Sequence, residues 1–68
     1  MEQNPNNKPE KEVPENWGIQ PTLKGKGLIE LTLFDENGKS HGSMVTKGKK
    51  WLTMQGMFEA AKIIYNNA

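Results

Sequence analysis

Sixty-eight residues make one domain at most, and a chain this short buries only about 60% of its unfolded surface, so its stability margin is thin. Cysteine is absent, which excludes disulfide staples, thiolate nucleophiles and cysteine-based zinc sites. The net charge is +1 but unevenly spread: residues 1 to 21 hold two lysines against four glutamates, net −2, and residues 22 to 68 hold seven lysines against four acids, net +3.

All nine basic residues are lysine. Without arginine the chain lacks the rigid bidentate fork that most often reads guanine or clamps phosphate, so sequence-specific DNA reading is disfavoured. Lysine, asparagine and isoleucine in place of arginine also suit an AT-rich coding sequence, such as small phage or mobile-element genes carry. No apolar run approaches the roughly 18 residues of a membrane span, and the segment "MEQNPNNKPEKEVPENW" has no apolar signal-peptide core. A cytoplasmic location without membrane association is expected.

In chain order, the first segment is a tail. All four prolines fall within residues 1 to 21, among Asn, Glu and Lys, a composition that does not offset the entropy of ordering; residues 1 to 15 are expected to be disordered. The domain proper is assigned to residues 16 to 68. In "NWGIQP", Trp17 and Ile19 are large apolar side chains that either fold back onto the core or dock on a partner, and fold-back is favoured because an exposed tryptophan is costly.

Alternation begins at Leu28: Ile29, Leu31 and Leu33 share one face, with Glu30 and Thr32 on the other, which predicts a half-buried strand. "DENGK" follows, and Asn37-Gly38 predicts a two-residue type I′ hairpin turn. That turn sets Leu31 across from Met44, Ile29 from Thr46 and Leu28 from Lys47, with Gly42 facing Leu33. A three-residue loop would instead slip the register by one and turn His41, Ser43 and Val45 inward.

Beyond Gly48, residues Met54, Met57, Phe58, Ala61, Ile64 and Tyr65 recur at helical spacing, an apolar stripe about 120° wide. An amphipathic helix is predicted, with Thr53 as its N-cap. The alternative is a third strand over Lys50 to Met54 with a shorter helix from Met57. The predicted fold is thus α+β: a β-hairpin, or a three-stranded antiparallel sheet, packed against one C-terminal helix.

Catalytic readings find little support. His41 is the one histidine, and Ser40 and Ser43 beside it are strand residues rather than a nucleophile elbow. Asp35 suits turn hydrogen bonding. No metal or cofactor is expected, and the chain reads as a non-enzyme.

Two binding surfaces are expected instead. The runs "LKGKGL" and "TKGKKWL" should meet at the open end of the hairpin, gathering Lys24, Lys26, Lys47, Lys49 and Lys50 beside Thr53 at the helix start, a candidate anion or nucleic-acid site. The bland account is that they keep exposed strand ends soluble. A second apolar strip, Gly56, Ala60 and Ile63, lies apart from the core stripe and suits helix pairing between two copies or with a target. Phe34 and Trp17 are further contact candidates. The function expected is a protein-binding module, a small stoichiometric inhibitor or adaptor acting on a host protein as a homodimer. The alternative is a weak, salt-dependent nucleic-acid accessory protein.

Overall fold

The alternating run Leu28–Phe34 forms the centre of the molecule, as strand β2 of a three-stranded antiparallel sheet. The computed structural model describes residues 11–67; the first ten residues of the expected tail lie outside these. Strand β1 (Gly18–Gly25) and strand β3 (Ser40–Lys47) flank β2 in the order β1-β2-β3. A 3-10 helix (Lys49–Leu52) then leads into helix α1 (Met54–Asn67). Ile29, Leu31 and Leu33 are buried against Ala60, Ala61 and Ile64 of α1, which is the α+β arrangement the periodicities predict.

The third strand is not where the alternative reading places it. Lys50 to Met54 form the 3-10 helix and the start of α1, whereas the extra strand is β1 on the other side of β2. Ile19 and Pro21 of β1 alternate inward and lie across from Leu33 and Leu31. Pro21 is tolerated because β1 is an edge strand, where the missing N–H breaks no inner ladder.

The two turns also exchange roles. Lys26 and Gly27 take φ of 56° and 78° between the paired residues Gly25 and Leu28, so the turn with two positive φ values joins β1 to β2. At "DENGK" only Gly38 has positive φ, 84°. There Asp35 N–H donates to the Lys39 carbonyl (2.9 Å) and Gly38 N–H to the Asp35 carbonyl (3.0 Å), closing a three-residue loop. Such a loop slips the register by one, yet Leu31 faces Met44 and Ile29 faces Thr46 as the two-residue turn would have it. A bulge restores the pairing: Thr32 faces Ser43 and Phe34 faces Ser40, so His41 and Gly42 together oppose Leu33. His41 consequently turns inward while Met44 and Thr46 keep their inward places.

Thr53 caps α1. Its hydroxyl accepts from Gly56 N–H (3.0 Å) and donates to the Lys50 carbonyl (2.6 Å), and Met57 N–H reaches the Thr53 carbonyl (2.9 Å). At the other end the amides of Asn66 and Asn67 each donate at 2.8 Å to the carbonyls of Lys62 and Ile63, partnering groups that a helix end leaves open.

Residues 11 to 15, assigned by composition to the disordered tail, lie against this helix. Lys11 N–H donates to Asn66 Oδ1 (2.8 Å), Asn66 Nδ2 donates back to the Lys11 carbonyl (3.0 Å), and Val13 packs on the core. A turn from Pro14 to Trp17, closed at 3.1 Å, then delivers the chain into β1.

Candidate functional site

Antiparallel pairing carries the two Lys-Gly runs to one end of the sheet: Leu28 is paired with both Gly25 and Lys47. A shallow hollow of about 400 Å³ is lined by Gly25, Gly27, Gly48 and Lys49 together with the aliphatic residues Leu23, Leu28 and Ile29. Lys24, Lys26, Lys47, Lys49 and Lys50 all belong to this end, but two of them are compensated. Lys24 Nζ stands 3.5 Å from Glu30, while Lys50 Nζ lies 4.0 Å from Glu59 and 4.7 Å from the Trp51 ring centre. Lys26, Lys47 and Lys49 have no ion pair among the described residues. Thr53 starts the helix beside them, with its hydroxyl already engaged in the cap.

The strip Gly56, Ala60 and Ile63 faces differently from the expectation. Gly56 and Ala60 are buried, while Met54 and Phe58 are 82% and 73% exposed. Compared with the apolar stripe, the buried face is turned by roughly 60° about the helix axis. The cause is the fit to the 3-10 helix. A β-carbon at Gly56 would overlap the Lys50 carbonyl oxygen and come within 2.9 Å of the Trp51 α-carbon. Only small side chains permit that approach, and Trp51 packs against the core beside them. Gly56 and Ala60 therefore cannot pair two copies of this fold through a free surface; Ile63, 39% exposed, remains at the boundary.

Trp17 packs on its own chain. Its ring stacks on His41 at 4.2 Å between centroids and meets Tyr65 edge-on at 5.3 Å. His41 Nε2 is 2.8 Å from Asp35 Oδ2, and Asp35 Oδ1 accepts the backbone N–H groups of Asn37 (2.8 Å) and Lys39 (2.9 Å). The His41 hydrogen bond and then the Lys39 N–H hold the Asp35 carboxyl down at about 2, because each favours the ionised form. The neighbouring serines are engaged elsewhere: Ser40 Oγ lies 3.5 Å from Gly42 N–H, and Ser43 Oγ donates to Glu30 at 3.2 Å. The His–Asp pair therefore fastens the 35–39 loop to Trp17. Sequence reasoning assigned Asp35 to the turn but missed its bond to His41, since a bulge decides which way His41 points.

The outer sheet face carries half-buried Leu28 and Phe34 and exposed Val45 between Glu30, Thr32 and Ser43. Phe34 thus lies on the face away from α1. Two apolar side chains that the alternation did not single out, Leu23 and Phe58, are the more exposed, both at 73%. Among the described residues no group of three or more His, Asp or Glu side chains is placed to hold a metal ion, and no helix is long and apolar enough to cross a membrane. The chain matches no family model, and no curated protein or solved structure matches it.

Proposed function

We propose that this chain is a non-catalytic protein-binding module, acting as a stoichiometric inhibitor or adaptor. The observation that carries the reading is the orientation of α1: its small residues fill the core and its large apolar residues Met54 and Phe58 stand in solvent. Phe58 also borders a second, separate hollow, beside Val13 and Lys62. Large apolar side chains held outside a rigid helix suit a partner's surface, where a few such anchors supply most of the binding energy.

The nucleic-acid reading draws on the lysine end, where carboxylates already compensate two of the five charges. Three outward lysines would give only weak, salt-sensitive binding. Tagged protein is to be incubated with lysate of the native host, with and without nuclease, alongside a Phe58→Ser variant whose fold is checked by circular dichroism. One protein retained regardless of nuclease, and lost with Phe58→Ser, is the expected result. Retention that collapses on nuclease treatment would overturn the reading in favour of nucleic acid.

A further inference from the structure

The lysine end combines features that neither a solubilising cap nor a phosphate groove requires. Its centre is a hollow of about 400 Å³ lined in part by the aliphatic residues Leu23, Leu28 and Ile29, within the roughly 300–1,000 Å³ typical of ligand sites. Lys49 lines it, Lys26 sits between the lining residues Gly25 and Gly27, and Lys47 precedes Gly48; none of the three has a carboxylate partner among the described residues. Resting on the protein-binding reading above, the geometry points to a specific partner chemistry: an acidic peptide segment carrying one large aliphatic side chain, which enters the hollow while its flanking carboxylates meet the three lysines.

Charge complementarity selects an anion, and the aliphatic lining selects what kind. A nucleic-acid strand held by three lysines gains most from bases stacked on aromatic rings. The one aromatic residue at this end, Trp51, is half-buried against the core with the Lys50 ammonium over its ring. Aliphatic lining atoms offer a base no stacking plane, but they match an aliphatic side chain, whose burial is worth about 1.5–3 kcal/mol. Lysine also suits carboxylates that approach from several directions, since its ammonium is a point charge on a flexible stem rather than a planar fork. The glycines Gly25, Gly27 and Gly48 raise no side chains around the hollow, so the mouth stays open to an entering side chain.

The test is an amide-resolved NMR titration of the full chain with a synthetic probe, a short run of glutamates around one central leucine. Three comparison probes are the same peptide with serine for the leucine, an oligothymidylate of equal charge, and vesicles containing phosphatidylserine. The expected result is saturable shifts at the amides of Gly25, Gly27, Gly48 and Lys49, with affinity falling about tenfold or more when leucine becomes serine, the value of about 1.4 kcal/mol of lost burial. A Lys47→Gln/Lys49→Gln variant should weaken binding by a comparable factor while keeping its spectrum dispersed. Stronger perturbation of these amides by the oligonucleotide or the vesicles would overturn the proposal in favour of phosphate chemistry. Equal binding of the leucine and serine peptides would reduce it to charge alone, and no shift with any probe would remove the site. A host protein captured through Phe58 but indifferent to the lysine substitutions would leave the protein-binding reading standing and end this one.

Discussion

The two ends of the sheet are built on opposite plans. At one end Trp17, His41, Asp35 and Tyr65 interlock through ring contacts and a carboxylate that satisfies two loop amides. At the other, glycines and Lys49 line a hollow with aliphatic residues, and three ammonium groups at that end have no carboxylate partner among the described residues. The first end has its polar groups matched within the chain, as a stable small domain requires. The second leaves charge and apolar surface unmatched, and unmatched surface is what a binding site has to spend. Internally matched groups and unmatched surface are thus separated along the strands.

The largest expected effect falls at Gly56, where α1 packs on the 3-10 helix. Changing Gly56→Ala places a methyl group against the Lys50 carbonyl, and overpacking against backbone costs about 3 kcal/mol, only partly offset by alanine's gain of about 1 kcal/mol in helix propensity. Urea denaturation followed by circular dichroism should show a lower midpoint. An unchanged midpoint would mean that the 3-10 helix moves freely from α1, and the contrast between a fixed and an open end would lose its hinge.

Next in size is Trp17→Ala. The ring is half-buried between His41 and Tyr65, so its loss should cost about 2 kcal/mol, below the 3–5 kcal/mol of a fully buried aromatic. The same measurement reads it. A change within about 0.5 kcal/mol, as at an ordinary surface site, would place the stabilising packing elsewhere.

A smaller effect should appear with pH. Asp35 has its pKa lowered from 3.8 to about 2 in the fold by the His41 hydrogen bond and the Lys39 and Asn37 amides. A depressed folded value means the unfolded chain binds the proton first, so this contribution is fully present above pH 3.8 and is lost as pH falls toward 2. Stability should decline across that window, and the decline should be shallower in Asp35→Asn. Identical profiles for the two proteins would show that the carboxylate does not hold the loop.

Much of the closed end was legible in the sequence and little of the hinge. The alternation of Ile29, Leu31 and Leu33 is strong because each inward position is a large aliphatic residue, and it fixes the core face directly. The register survived a wrong turn because the inward apolar face, including Met44, constrains pairing more tightly than turn chemistry does: the three-residue loop and the His41–Gly42 bulge cancel. Strand β1 was hidden because Pro21 counts with the prolines of the N-terminal composition, although Ile19, Pro21 and Leu23 alternate in the right period. The helix orientation was not legible, since hydrophobic periodicity weighs Met54 and Phe58 above Gly56 and Ala60. Packing depended on closeness of approach, which only the smallest side chains allow. Of the candidate site, the gathering of lysines followed from pairing alone, but its aliphatic lining did not, because Leu23 belongs to the strand that was missed.

The smallest expected effect sharpens the comparison most. Lys47 and Lys49 are exposed and without carboxylate partners among the described residues, so Lys47→Gln/Lys49→Gln should change stability by no more than about 0.5 kcal/mol. The sign should be stabilising at low ionic strength, because like charges close together oppose the folded state, and the gain should vanish in high salt as those charges are screened. A loss above about 1 kcal/mol would mean that the lysines support the fold through their stems, which can cover apolar surface such as Leu28. A small, salt-sensitive gain would mean that the fold holds these charges at a cost, and a cost carried at the end with the aliphatic-lined hollow is the thermodynamic mark of a surface kept for a partner.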